Sequence, residues 1–383
     1  MMYQQPALDR IPSSIASVDD YIPYARERIE PSAWAYLTAA AADGHTAGEN
    51  VAALQRLQLL PNVLYSGDQP GTQVDLPGGA VPYPVMLAPV AYQRLAHPDG
   101  ELATALGASA MQAGMVVSAQ ASHTLEDIAA RASSLLWFQL YMQPEFDDSL
   151  ALVQRAEAAG YKALVVTLDA PLSGLRNAEQ RAGFALPPDV RAVNLPEGGA
   201  TATLSAQAGQ ALSGPLRASV PGWETLARLT AQTRLPVLAK GILHPDDARR
   251  AIDAGCQGII VSNHGGRVLD TVPATIAVLP AVVAAAGLQV PVLMDGGIRR
   301  GTDILKALAL GARAVMVGRP QVYGLAAAGA SGVAHVLHIL RTELEMAMLL
   351  SGRTSIQSID ASVLWSPGCA PSSHTRASPP SLL

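Results

Sequence analysis

Short, nearly uninterrupted apolar runs punctuate this chain, and amphipathic segments fill the intervals between them. The runs lie near Val85–Ala88, Met115–Val117, Leu136–Gln139, Leu164–Thr167, Val237–Lys240, Ile259–Ser262, Val292–Asp295 and Ala314–Val317. They are too short for helices and apolar at consecutive positions, which predicts strands buried on both faces. Glu101–Ala113, Asp148–Ala159, Pro245–Ala254 and Thr302–Ala309 instead read as amphipathic helices with one buried stripe. Strand and helix in alternation imply a parallel sheet with right-handed crossovers. Eight such units predict an α/β fold of the closed (β/α)8, or TIM, barrel type, which needs roughly 250 residues. Residues 85–350 supply that length. A doubly wound open sheet is the alternative, but no GxGxxG follows the first strand.

The rest of the chain reads as accessory to a barrel at 81–365. Residues 1–80 hold helical patterns, including Pro31–Ala42, and are expected to pack over one end of the barrel. After the fourth strand, Gly183–Trp223 is a long stretch rich in Ala, Gly, Ser and Pro, the signature of a lid or mobile loop. Residues 366–383, SPGCAPSSHTRASPPSLL, read as a disordered tail.

The polar residues that end each strand carry the functional information. The first run leads into Pro89-Val90-Ala91 and the second into Ser118; the third carries Gln139 and Tyr141. The fourth carries Thr167 and Asp169 with Arg176 soon after, and the fifth ends at Lys240. The sixth ends at Ser262, Asn263, His264 and Arg267, the seventh at Asp295-Gly296-Gly297-Ile298-Arg299, and the eighth at Gly318-Arg319. In a parallel barrel all of these meet at the carboxyl rim, where such folds place their chemistry. Taken alone, Ser262–Arg267 could be a strand-to-helix turn with a capping Asn and a structural His. The recurrence of polar strand ends argues against that reading. Two Gly-Arg loops after the last two strands stand where barrels commonly hold a phosphate, because glycine exposes backbone N–H groups and arginine adds bidentate charge.

Composition narrows the class. Hydrophobic residues make up 49% and charged residues 15% of the 383, so the chain is globular. A net charge of −5 offers no basic field for nucleic acid or an anionic membrane surface, so a small anionic substrate needs a local basic cluster. Cys256 and Cys369 are too few for a disulfide framework or a zinc cage. No signal peptide is visible, and the apolar regions Leu279–Met294 and Gly324–Leu340 are interrupted by Gly, Pro or His, so no membrane span and a cytoplasmic location are expected. His335 and His338 share a helix face without further ligands, so no metal is expected.

The motifs APVA (Ala88–Ala91), QLY (Gln139–Tyr141), TLDAP (Thr167–Pro171), LAKG (Leu238–Gly241), SNHGGR (Ser262–Arg267), DGGIRRGTD (Asp295–Asp303) and GRP (Gly318–Pro320) occur in order at successive strand ends. On these, the chain resembles the FMN-dependent L-2-hydroxy acid oxidases and dehydrogenases, the group of glycolate, lactate and hydroxymandelate oxidases, over about residues 20–365. The segment APVAYQRLAHPDGE is similar to the hydroxymandelate oxidase branch in particular. The resemblance implies FMN held by Pro89, Val90, Ala91, Ser118, Gln139, Thr167, Lys240, Ser262, Asp295 and Ile298, with its phosphate against Gly296, Gly297, Arg299, Gly318 and Arg319. It implies a 2-hydroxy acid whose carboxylate meets Tyr36, Arg176 and Arg267 and whose hydroxyl faces Tyr141 and His264, with Gln120 in the pocket for the variable group.

In that scheme His264 is the general base, since an imidazole titrates near neutrality, and Asp169 orients it. Lys240 stabilises negative charge on reduced flavin. His264 serves as base whether the electrons move as hydride or through a carbanion.

The chain departs from the family pattern in several places. Leu175-Arg176 stands where many relatives have two arginines, Gln120 where glycolate oxidases have tryptophan, and Leu172 and Ser173 also differ, while SGLR is more similar to lactate oxidase. Ala39–Ala42 replaces a Gly-Ala-rich motif. Oxygen is the expected electron acceptor, giving hydrogen peroxide. The alternative is a dehydrogenase serving a quinone or cytochrome, but residues 184–221 contain little of the basic or apolar sequence that membrane-bound members would carry. An isomerase on the same flavin barrel has no use for the His264–Arg267 pair, and a non-catalytic flavoprotein would be yellow but unreactive. The resemblance implies a homotetramer.

Overall fold

The structure is a computed structural model and describes residues 5–63, 70–195 and 221–365. A hairpin of β1 (Val74–Leu76) and β2 (Gly79–Val81) precedes β3 (Val85–Leu87), β4 (Gly114–Ser118), β5 (Leu136–Leu140), β6 (Ala163–Thr167), β7 (Val237–Ile242), β8 (Gly258–Val261), β9 (Val292–Met294) and β10 (Ala314–Val317). Strands β3 to β10 close into a barrel in the order β10-β3-β4-β5-β6-β7-β8-β9, and every neighbouring pair is parallel. These are the eight apolar runs of the sequence, and the TIM-barrel expectation holds.

Side chains alternate across a strand, so every second residue of each strand faces the barrel axis. At the amino end this inward row is apolar: Met86, Val116, Trp137, Ala163, Val165, Leu238, Ile260, Leu293, Ala314 and Met316 form one buried cluster. One step further along the same rows the side chains turn polar: Ser118, Gln139, Thr167, Lys240, Ser262 and Asp295, nearly all buried. The outward rows pack against the helices in a second, larger cluster that also takes in Val18, Tyr21, Ala25, Ala33 and Leu54 from the N-terminal helices.

The amino end is sealed by the hairpin, whose Val74, Leu76 and Val81 join the interior cluster. Trp137 Nε1 donates to the Pro77 carbonyl in its turn at 3.0 Å. The sequence reading took residues 1–80 as helical and did not anticipate these strands. Each is only three residues long, below what an alternation pattern can signal.

Three helices lead toward the opposite end: α1 (Tyr21–Arg28), α2 (Pro31–Thr38) and α3 (His45–Arg56). Pro31 opens α2, where its missing N–H costs nothing, and the Glu30 carboxylate accepts from Ser32 N at 2.9 Å and Ala33 N at 3.0 Å. α3 is capped from a distant part of the chain: Asp270 accepts from Thr46 N at 2.7 Å and from Asp43 N and His45 N at 3.2 Å.

Arg319–Leu350 is two helices that meet across a kink at Ala328 and Gly329, which have non-helical backbone angles, so the glycine interruption expected of this apolar region is present. By length and composition alone the whole stretch would be long and apolar enough to cross a membrane. However, 72% of its most apolar window is buried inside the protein, as befits a core helix. His335, on this helix, hydrogen-bonds Tyr21 Oη through Nδ1 at 2.8 Å and stacks on His338. Much of the long segment after β6 (196–220) and the tail (366–383) lie outside the described residues.

Candidate active site

The polar ends of the inward rows open into a cavity of about 470 Å³. Its floor is a hydrogen-bonded run across neighbouring strands. Ser118 Oγ donates to Gln139 Oε1 at 3.1 Å, and Gln139 Nε2 donates to Thr167 Oγ1 at 3.0 Å. Lys240 continues it, donating to Ser262 Oγ at 2.9 Å and pairing with Asp295 at 3.2 Å. Burial would lower the Lys240 pKa, but the charges of Asp295 and Asp169 outweigh it and hold the ammonium above its ordinary value. Lys240 is thus both a paired interior residue and a residue of the site.

Ser262 stands at the back of the site. It does not line the cavity; its hydroxyl lies behind Lys240 and accepts also from the His264 backbone N–H at 3.1 Å. It fixes two site residues from the rear.

His264 follows β8 with φ 57°, a left-handed conformation that a non-glycine residue adopts only at a cost. That turn aims the ring between two partners: Nδ1 lies 3.1 Å from Asp169 Oδ1 and Nε2 lies 3.4 Å from Tyr141 Oη. Burial would raise the Asp169 pKa, but the charge of His264 and its hydrogen bond, with Lys240 beyond, keep it below the ordinary value. Asp169 has room because of Gly241, for which the sequence alone signals no role. A Cβ there would stand 2.5 Å from Asp169 Cβ, and the β7–β8 register shifts between Lys240 and Ile242.

Two guanidiniums face the cavity from opposite segments. Arg267 is held from behind: Nη1 donates to the carbonyls of Leu37 (3.2 Å) and Ala39 (2.8 Å), and Nη2 to that of Tyr36 (2.9 Å). Ala39–Ala42 therefore acts through its backbone, with Ala41 N and Ala42 N also donating to Gly266 and Leu175. Arg176 sits over one side of the Tyr36 ring at 5.4 Å and Arg267 at 5.6 Å, and Phe184 stacks on Tyr36 at 4.6 Å. Burial raises the Tyr36 pKa despite both arginines and lowers that of Arg267. Burial raises Tyr141 as well, helped by Asp169. Both phenols are neutral donors.

The last two loops form the cationic end. Gly296 (φ 98°) and Gly297 (φ 86°) turn under α3 so closely that a Cβ on Gly297 would lie 2.4 Å from the Asn50 carbonyl oxygen. Asn50 and Asn263 exchange amide hydrogen bonds at 2.8 Å in both directions, tying α3 to the His264 loop. Arg319 donates to the carbonyls of Gly265 and Ala39 at 3.0 Å. Its Nε is buried without a hydrogen-bond partner among the described residues. Burial, with Arg267 and Arg299 nearby, pushes its pKa down to about 10. A buried cation in that state favours a bound anion.

The cavity thus gathers Tyr36, Pro89, Val90, Ala91, Ser118, Gln120, Gln139, Tyr141, Thr167, Arg176, Lys240, His264, Arg267, Asp295, Gly296, Gly297, Ile298, Arg299, Gly318 and Arg319, while Asp169 and Ser262 stand directly behind it. Glu179, Phe184 and Leu186 also line it and were missed: Glu179 is an ordinary charged residue of a short helix, and Phe184 and Leu186 fall in the stretch of loop composition.

A (β/α)8 barrel whose carboxyl end joins an anion-binding cradle, an imidazole–carboxylate pair and two guanidiniums defines an enzyme that holds a phosphorylated cofactor against a small acid. The chain belongs to the FMN-dependent dehydrogenase family, whose sequence profile matches residues 25–366. It is 46% identical over 363 residues to an L-lactate oxidase of Alicycliphilus denitrificans, covering 94% of this chain and 99% of that one. It is 41% identical to 2-hydroxyacid oxidase 1 of Homo sapiens, covering 91% and 95%. Among solved structures it is similar to mandelate oxidase with benzoyl-formic acid, at 41% identity and TM-score 0.82 over 91% of this chain and 97% of that one. FMN is the cofactor, and the unsatisfied Arg319 beside the paired glycine turn suits its phosphate.

Proposed function

We propose that this protein is an (S)-2-hydroxy acid oxidase that converts an L-2-hydroxy acid of the lactate, glycolate or mandelate type to the 2-oxo acid and passes the two electrons to oxygen, giving hydrogen peroxide. The observation that carries this reading is His264, backed by Asp169 and facing Tyr141, in one cavity with Arg176 and Arg267.

Bound FMN supplies the two-electron acceptor. Arg267, Arg176 and neutral Tyr36 bind the substrate carboxylate and so fix the orientation of Cα, which removes rotational freedom before reaction. Tyr141 donates to the substrate oxygen, and His264 Nε2 takes the proton leaving the substrate. Asp169, ionised beside Nδ1, stabilises the imidazolium that results. Lys240, kept charged by Asp295, presents fixed positive charge at the cavity floor where electron density accumulates. Leu172, Phe184, Leu186 and Val268 give the cavity an apolar part for the substrate's variable group, beside Gln120.

The oxidase names of the relatives support oxygen as acceptor; a dehydrogenase serving a quinone or cytochrome is the second reading. The presence of only two cysteines fits a reducing, cytoplasmic compartment, and the resemblance carried by the strand-end motifs implies a homotetramer. Anaerobic mixing of the purified protein with L-lactate, glycolate and (S)-mandelate tests the reaction. At least one should bleach the flavin, and air should restore it faster than a quinone dye does. Yellow protein that none of the three bleaches would refute the proposal.

A further inference from the structure

Glu179 is an acidic group inside a cavity built for an acid. It lies on the short helix Asn177–Arg181, one turn after Arg176, and lines the cavity. Its carboxylate faces the Nε side of the Arg176 guanidinium in an ion pair and accepts from Nη2 at 3.4 Å. Both side chains are largely buried, at 17% and 20% exposure, so water screens the pair little. With Nε and Nη2 turned toward Glu179, Nη1 is the edge left for a ligand. Arg267 is restrained likewise, by the carbonyls of Tyr36, Leu37 and Ala39. The two guanidiniums are therefore each held from behind, one by backbone and one by a charge.

We propose that Glu179 is the positioning residue of Arg176 and that, by leaving the two-guanidinium clamp with one net positive charge, it matches the site to a single carboxylate. This inference rests on the 2-hydroxy acid reading above and adds to it the origin of the clamp's geometry and charge selectivity. Two guanidiniums alone would carry two charges and suit a dianion. The charge of Glu179 also reaches Arg267, where, with the Tyr36 phenol, it offsets part of the lowering that burial imposes. The chain departs here from relatives with a second adjacent arginine: Leu175 is exposed and supplies no charge, so Arg176 has Glu179 as its restraint.

The test compares wild type, Glu179→Ala and Glu179→Gln, all loaded with FMN. KM and kcat are measured on the acid that bleaches the wild-type flavin best. Inhibition constants are measured for glyoxylate, a monoanion, and oxalate, a dianion. Release of Arg176 weakens ground state and transition state alike, so Glu179→Ala should raise KM about tenfold while kcat changes less than about threefold. Glu179→Gln keeps an acceptor for Arg176 and should recover most of that KM. Both variants should shift inhibition toward oxalate over glyoxylate by about tenfold, the size expected for one charge in a poorly screened site. A merely structural role would lower flavin content or kcat and leave the oxalate-to-glyoxylate ratio unmoved. An unchanged ratio in Glu179→Gln, or an unchanged KM in Glu179→Ala, would overturn the inference. Failure of wild type to oxidise any 2-hydroxy acid would instead overturn the function on which it rests.

Discussion

The two ends of the barrel are built from the same strands and the same inward rows, yet they are held together differently. Below the polar layer Trp137, Val165, Leu238 and Ile260 share one apolar cluster with Val74, Leu76 and Val81 of the hairpin. That contact is non-directional and depends on volume. At the carboxyl end Gln139, Thr167, Lys240 and Ser262 satisfy one another by hydrogen bonds, His264 sits in a left-handed turn, and Arg319 keeps an unpartnered Nε. One end stores stability and the other tolerates strain. Separating them within each row by two residues lets one element supply both.

Substitutions can break this division or sharpen it. The largest effect is expected for His264→Ala, which should slow anaerobic flavin bleaching by about 10²- to 10⁴-fold with the urea midpoint unchanged. Bleaching at full speed would remove His264 from the mechanism. Trp137→Ala should do the reverse, costing about 3–5 kcal/mol in urea unfolding while the bleaching rate per bound flavin is kept. A parallel loss of rate would show that the two ends are not separable.

A smaller effect is expected where α3 meets the rim. Asp270 caps that helix, and the backbone N–H of Thr46, with further backbone donors, holds its carboxylate well below the ordinary value. Its folded pKa is depressed, so the stabilisation is complete above the unfolded value near 3.8 and is lost as the pH falls through the folded pKa. Asp270→Asn should therefore cost about 1 kcal/mol at neutral pH and flatten the acid limb of the stability curve. An acid limb as steep as that of wild type would place the titration elsewhere.

The difference between the ends also explains what could be read from sequence. The eight barrel strands stood out because burial on both faces leaves continuous apolar runs, and the rim residues stood out because each interrupts such a run. The position of Ser262 behind Lys240 depends on a packing order that no local pattern encodes. The Asn50–Asn263 pair spans 213 residues, and the Phe184–Tyr36 stack joins a loop to α2; both arise from tertiary contact alone. Glu179 was hidden for a related reason, as an ordinary charged residue on a short helix whose contact with Arg176 no local pattern encodes. The hairpin was hidden by its brevity.

The inward rows have one more consequence, for how such a molecule can change over time. The rim loops can lengthen, shorten or exchange residues without disturbing the strands beneath, so new substrate preferences are open to drift there. A single residue deleted inside β7 would instead turn Lys240 toward the helices and bring its outward neighbour to the axis, erasing chemistry and core together. Insertions and deletions in descendants of this chain should therefore collect above the strand ends and be nearly absent within them.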